Sequence, residues 1–284
     1  NEIVLLHSDN DPYVELEQAE WLAEKLDGEL RVIKGQGHFN LGTSPKYKEF
    51  PKLLAVILKE DVRRQLYLMS SFRGKGVAEM VMGDIEQKLG KKAEEGRVLY
   101  VTTAGNLHSE GDRGWIDEGR ELLKKRGWEV VDYDIAGKTE EEVETEVRWS
   151  DVVFVQGGNN FYLLKRMQEC GFGEKIKEAL TRGVIYVGES AGSIVCSGDI
   201  TAQKIMSADA LEQVPEITDF RGLGLVNFLI RPHWNRGDQK REKYLKFLKE
   251  HPEEFFSITQ PLICLNDNQL VYVEGDEFQI WEGK

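Results

Sequence analysis

Short apolar runs alternate with helix-length amphipathic stretches along most of this chain, and that alternation is the tightest constraint on its fold. Residues 3–6 read as a short buried strand, and residues 14–26 put Leu16, Ala19, Leu22, Ala23 and Leu26 on one helical face. A second strand at 30–33 and a second apolar-faced helix at 50–58 follow. The charged break Lys59-Glu60-Asp61-Val62-Arg63-Arg64 then interrupts the pattern. Beyond it, strands are expected at 66–69, 98–102, 129–133, 151–156 and 184–187, separated by helices at 77–89, 115–126, 139–148, 161–170 and 175–181. A helix starts after Ser190, and an irregular stretch leads to a strand at 226–230 and a helix at 240–250. Three closing strands are expected at 262–265, 269–274 and 277–281. Strands separated by helices of this length make βαβ units and a mostly parallel sheet. The break near residue 62 divides the chain into segments 1–62 and 63–284.

Composition narrows the functional classes. The chain has 284 residues, 40% of them apolar and 10% aromatic, enough to fill the core of one large domain or two. Its 28 glycines and 7 prolines argue against a collagen-like or disordered chain. Fifty acidic against 37 basic residues give a net charge of −13, which argues against a nucleic-acid surface built on clustered Lys and Arg. Cys170, Cys196 and Cys264 are far apart and lack CxxC spacing, so reduced thiols are expected rather than disulfides or a zinc site. No apolar run approaches membrane-spanning length, and residues 1–6 lack the basic and long apolar regions of a signal peptide. A cytoplasmic protein without membrane or nucleic-acid partners is the expectation. The chain begins at Asn1 and goes straight into an apolar run, as expected of a chain trimmed or preceded by more sequence.

The strongest local signal is Gly188-Glu189-Ser190-Ala191-Gly192, after a compact strand and before a helix start. A serine at a sharp strand-to-helix turn sits in a strained conformation with its hydroxyl over the edge of the sheet. The backbone N–H of Ala191 can face a developing oxyanion. The same letters would also describe a tight glycine turn with an incidental serine. A serine nucleophile needs a base, and of five histidines His233 is the best placed, just past an apolar strand and therefore on the same rim. A carboxylate should hold its tautomer. Between Ser190 and His233 the acids are Asp199, Asp209, Glu212, Glu216 and Asp219, and the residues alone do not choose among them. A second signal, Gln156-Gly157-Gly158-Asn159-Asn160-Phe161, places consecutive glycines at a strand end, where exposed N–H groups could cradle a phosphate or complete an oxyanion hole. No Gly-Lys-Ser/Thr occurs, which excludes a P-loop, and Arg73-Gly74-Lys75-Gly76 lacks dinucleotide-binding spacing.

From about residue 65 to 281, the chain resembles the peptidase E (aspartyl dipeptidase) and cyanophycinase family of serine peptidases. The resemblance rests on the opening strand Leu66-Tyr67-Leu68-Met69-Ser70-Ser71-Phe72, Val101-Thr102-Thr103-Ala104, the Gly157-Gly158-Asn159-x-Phe161 loop, Gly188-x-Ser190-Ala191-Gly192, Arg231-Pro232-His233 and a C-terminal hairpin. It implies a class I glutamine amidotransferase-like α/β three-layer sandwich. Ser190 would be the nucleophile, His233 the base and Asp209 the acid, with Asp199 the other candidate. The oxyanion hole would use the N–H groups of Gly158 and Ala191. Asn159, Glu189 and Arg241 would contact substrate, Arg241 by its bidentate fork on a carboxylate. The chain departs from the aspartyl dipeptidase at Glu189, where that enzyme has tryptophan, and in a longer stretch between Ser190 and His233. The implied activity is hydrolysis of short peptides through an acyl-enzyme, without metal or cofactor, possible as a homodimer. A cyanophycinase-like isopeptidase or an esterase would use the same residues. A protein that only binds a small acyl or amino-acid ligand would need just the glycine loop and turn.

Residues 1–62 resemble the C-terminal part of a small α/β-hydrolase of the retinoblastoma-binding serine hydrolase type. The resemblance lies in His7-Ser8-Asp9-Asn10-Asp11-Pro12-Tyr13-Val14 and Gly35-Gln36-Gly37-His38-Phe39-Asn40. It implies that Asp11 and His38 are a vestigial pair from that family's triad, in a β-α-β-α fragment whose nucleophile would lie upstream. Unpaired strand edges in so small a piece lead to the expectation that it packs on the larger segment or on another copy.

Overall fold

The computed structural model describes residues 3–33, 35, 37–38, 64–236, 242, 245, 249–250 and 260–284. The expected helix at 50–58, most of that at 240–250, and Arg241 lie outside the described residues. The chain forms two compact units, Asn1–Val62 and Arg63–Lys284. Among the described residues, no helix is long and apolar enough to cross a membrane.

In the first unit, β1 (Val4–Ser8) and β2 (Glu29–Ile33) pair in parallel, from Val4 opposite Glu29 to Ser8 opposite Ile33. The crossover is α1 (Leu16–Leu26), which buries Ala19 and Ala23 and ends at Asp27 in the left-handed region, φ 49°. Its start is fixed by the Gln18 side chain, whose Oε1 accepts the Glu15 N–H at 3.1 Å.

The second unit begins with β3 (Gln65–Met69), α2 (Val77–Leu89), β4 (Arg97–Val101), α3 (Gly114–Arg126) and β5 (Glu129–Tyr133). It continues through α4 (Glu140–Arg148), β6 (Val152–Val155), α5 (Asn160–Glu169), α6 (Phe172–Leu180), β7 (Ile185–Glu189) and α7 (Ala191–Ile194). The stretch read as irregular holds two short helices, α8 (Gln203–Met206) and α9 (Ala208–Glu212). The chain closes with β8 (Leu229–Arg231), β9 (Leu262–Cys264), β10 (Gln269–Glu274) and β11 (Glu277–Glu282).

Seven strands form one sheet in the order β11-β10-β3-β7-β6-β4-β5. The five strands from β3 to β5 are parallel, and β10 and β11 are antiparallel to their neighbours. Alternate residues feed two cores. Leu66, Leu68, Leu99, Val101, Val153 and Val155 face Val143 and Val147 of α4, Leu163 and Leu164 of α5 and Ile176 of α6. Tyr67, Met69, Val98, Tyr100, Val152 and Phe154 face Val77, Val81 and Ile85 of α2 and Ile116 and Leu123 of α3. Helices on both faces make a three-layer sandwich. They also explain why β6 reads Val-Val-Phe-Val with every residue buried.

Two differences from the expected strands matter for chemistry. Strand β7 runs on to Glu189, because Glu189 pairs in register with Met69 of β3. The strand expected at 226–230 is β8, and it pairs in parallel with β9 in a separate two-stranded sheet, Arg231 opposite Cys264.

Candidate active site

In an open parallel sheet, the crevice past the carboxyl ends of the strands is where side chains can converge on a ligand. Here the ends of β3, β6 and β7 meet. Between β7 and α7, Ser190 has φ 49° and ψ −103°, a conformation that costs a non-glycine residue about 1–3 kcal/mol and persists only when its surroundings hold it. They do so from several sides. The Ser190 N–H donates to Met69 O at 3.0 Å, and Ser190 O accepts from the N–H groups of Ser193 and Ile194, each at 3.0 Å. The Ser193 hydroxyl reaches Met69 O at 2.9 Å and Gly188 O at 2.7 Å. The Tyr186 hydroxyl donates to Gly192 O at 2.7 Å. At Gly192 a Cβ would lie 2.2 Å from Val155 O, so α7 can sit this close to β6 only with glycine there.

The two short parallel strands bring the other partners. His233 lies two residues past β8, itself at φ 60°, and Asp267 lies three residues past β9. Because β8 and β9 run the same way, both residues emerge at the same end. His233 Nε2 is 3.0 Å from Ser190 Oγ, and His233 Nδ1 is 2.6 Å from Asp267 Oδ1. Asp267 Oδ2 accepts from Arg236 Nε at 2.5 Å. Burial pushes the Asp267 carboxyl up, but the His233 and Arg236 hydrogen bonds outweigh it and hold the group below its usual range. The Ser70 hydroxyl accepts the His233 N–H at 2.7 Å and donates to Asp267 Oδ1 at 3.1 Å. With the imidazole proton on Nδ1, facing Asp267, Nε2 is the acceptor that a serine nucleophile needs.

The carboxylate on the histidine is therefore Asp267, not Asp209 or Asp199. Asp209 is exposed on α9 and lines the cleft beside the serine. Asp199 Oδ1 accepts the Thr201 N–H at 2.6 Å in a local turn. Asp267 comes after His233 in the chain, so a search between Ser190 and His233 passes over it. The readable signal is the apolar run Leu262-Ile263-Cys264-Leu265 ending in Asn266-Asp267, an acid at a strand end. Ser70, just past β3, and Arg236 are further polar residues on the pair that carry no local sequence signal.

The glycine loop after β6 packs against the serine. A Cβ on Gly157 would lie 3.1 Å from Ser190 Cβ, and Gly158, at φ 142°, has no room for one, with Ala104 O 2.1 Å from where it would be. Gly157 thus packs on Ser190, and Gly158 lines the same cleft as Ser190, which Ala191 directly follows. Two expected substrate contacts have other roles. Asn159 is buried and caps α5: its Oδ1 accepts the N–H groups of Phe161 and Tyr162, both at 3.0 Å, and its Nδ2 donates to Ala210 O at 2.8 Å. Glu189 is 3% exposed and lies beneath the turn, its Oε1 accepting the Phe72 N–H at 3.1 Å. Burial drives its carboxyl above the usual range, against the pull of the Phe72 N–H and of Arg73. Glu189 pairs in register with Met69 at the end of β7, and its side chain turns to Phe72 rather than into the cleft.

Above these groups lies a cleft of about 630 Å³ whose wall includes Gly158, Ser190, Lys204, Asp209, Arg231 and His233. In the first unit, His38 Nδ1 lies 2.8 Å from Asp11 Oδ2. Asp11 Oδ1 accepts the N–H groups of Tyr13 and Val14 at 2.9 and 3.2 Å. Burial pushes Asp11 up, but these bonds and His38 hold it below its usual range.

Comparisons with known proteins match this division of the chain. The model of peptidase family S51 matches residues 66–281, and that of a serine hydrolase family matches residues 2–59. The uncharacterized peptidase Lin0382 of Listeria innocua is 31% identical over 195 residues, 66% of this chain and 88% of its own length. A probable alpha-aspartyl dipeptidase of Drosophila melanogaster is 30% identical over 225 residues, 75% of this chain and 85% of its own. Among solved structures, a "Putative Peptidase E Protein" from Listeria monocytogenes EGD-e has the same fold. It is 24% identical with a TM-score of 0.63, covering 78% of this chain and 100% of that one.

Proposed function

This chain belongs to peptidase family S51 and is a serine peptidase, and we propose that it is a peptidase E-like dipeptidase working through Ser190, His233 and Asp267. The observation that carries this reading is the line of contacts at one sheet edge: Ser190 Oγ to His233 Nε2 at 3.0 Å, and His233 Nδ1 to Asp267 at 2.6 Å. His233 takes the Ser190 proton as the oxygen attacks the scissile carbonyl. Asp267 keeps the imidazole in the right tautomer and stabilises the imidazolium. The N–H groups of Gly158 and Ala191 receive the oxyanion, and one such donor is worth about 10²–10³ in kcat. The imidazolium then protonates the leaving amine, and a Ser190 ester remains. Water, deprotonated by His233, attacks that ester, and as the bond to Ser190 Oγ breaks the imidazolium returns the proton to that oxygen and the acid product leaves.

A short peptide suits the cleft, which is of small-ligand size. Lys204 and Arg231 on its wall, with Asp209, offer both signs of charge to the two charged ends of a dipeptide. The Drosophila relative's description as an alpha-aspartyl dipeptidase supports the same class. The test is turnover of aspartyl and other dipeptides, β-aspartyl-arginine and p-nitrophenyl esters by the parent and by Ser190→Ala. Dipeptide cleavage by the parent, lowered at least about 10³-fold in the variant, is the expected result. A variant as fast as the parent would refute the reading.

A further inference from the structure

Directly before the nucleophile stands a buried carboxyl that the reaction steps do not use. Glu189 is 3% exposed, pairs with Met69 across β7 and β3, and has no hydrogen bond to its Oε2 among the described residues. Burying a carboxyl is costly, and an apolar residue would fill the same space. What the carboxyl supplies is an acceptor for the turn after β3. Oε1 takes the Phe72 N–H at 3.1 Å and lies 3.4 Å from the Ser71 hydroxyl. The next residue back in that turn is Ser70, whose hydroxyl accepts the His233 N–H and donates to Asp267. Three consecutive residues therefore connect the strand that carries the nucleophile to the pair that activates it.

We infer that Glu189 is a positioning residue: by holding the turn at residues 70–72 from the nucleophile's own strand, it sets where Ser70 presents His233 and Asp267 to Ser190. The inference rests on the catalytic roles proposed above. It separates the two jobs of the turn. Its backbone is fixed by Glu189, and its Ser70 hydroxyl carries the histidine backbone and the aspartate. Glu189 lies below the serine and not on the cleft wall, so it acts on the reacting groups through the backbone it holds. Its burial favours the neutral acid, which a glutamine amide matches in shape and in the oxygen that accepts the Phe72 N–H.

The test measures kcat and KM of the full chain on a dipeptide that the parent cleaves. The variants are Glu189→Leu, Glu189→Gln, Ser70→Ala, the Glu189→Leu/Ser70→Ala double variant and Ser190→Ala. Glu189→Leu should lower kcat about 30-fold with KM within about twofold, the size expected of a small displacement of the reacting groups. Glu189→Gln should stay within about threefold of the parent. Ser70→Ala should lower kcat about tenfold, and the double variant should be far less impaired than the product of its singles, because both act through one turn. The inference is overturned if Glu189→Leu matches the parent, if Gln is as damaging as Leu, or if the two effects multiply. It is also overturned, even where Glu189→Leu does not fold, if Ser70→Ala keeps kcat within twofold of the parent. An active Ser190→Ala would sink the underlying catalytic reading instead, and an inactive Ser190→Ala beside an unimpaired Glu189→Leu would sink this inference alone.

Discussion

The chain holds two histidine–aspartate pairs at strand ends, alike at the pair and unlike around it. His38 and Asp11 are 2.8 Å apart at the ends of a two-stranded parallel sheet. His233 and Asp267 are 2.6 Å apart at the ends of another. The second pair stands 3.0 Å from Ser190, a serine at positive φ. Residues 1–62 contain Ser8 and Ser44, neither in a G-x-S-x-G pattern, and the Ser8 hydroxyl donates to Asn10 Oδ1 at 2.8 Å. The difference lies in what surrounds each pair. Among the described residues, two parallel strands and the loops after them set His38 beside Asp11. A strained serine has to be held from all sides, and Ser190 draws on β3, β6, β7 and α7 at the centre of a seven-stranded sheet.

The comparison breaks most visibly at the acid. Asp267→Asn should lower kcat about 10³–10⁴-fold, because an amide no longer selects the Nδ1–H tautomer. Asp209→Asn, on the cleft wall, should change kcat less than about tenfold. Steady-state kinetics of the two variants on one dipeptide checks this, and the reverse ranking would return the acid to Asp209.

A smaller effect appears in acid stability. Native Asp267 is held below its ordinary value of 3.8, so the folded protein binds that proton less tightly than the unfolded chain. The stabilisation is therefore present above the ordinary value and drains away as pH falls through it towards the lower native one. Thermal melts should show the parent's margin over Asp267→Asn narrowing below about pH 4. A margin that stays constant or widens there would contradict the pairing.

The smallest effect is expected at the other pair. His38→Ala should leave dipeptide kcat/KM within about twofold of the parent, since no catalytic step proposed here passes through it. A large loss would mean that the two pairs work together.

What the sequence made legible was local. Strand β5 and helix α2 have the expected bounds because sharp signals flank them, Gly127 and Trp128 before β5 and Gly90 after α2. The strand–turn–helix around Ser190 is written in about ten consecutive residues. What stayed hidden was non-local. Nothing within residues 226–233 announces that β8 pairs with a strand some thirty residues on, so the delivery of Asp267 to His233 had no short-range trace. Glu189 was misread because its direction depends on how far β7 extends, which its pairing with Met69 decides. Asn159 is different: an asparagine opening a helix is a standard N-cap signal, and its role could have been read from the sequence.

The most direct measurement of the central claim is covalent labelling of the full chain with a fluorophosphonate, followed by peptide mass mapping. One phosphonyl adduct on Ser190, lost in His233→Ala and strongly slowed in Asp267→Asn, is the predicted result. A parent that cleaves dipeptides while Ser190 remains unlabelled, or an adduct that forms equally fast without His233, would contradict it.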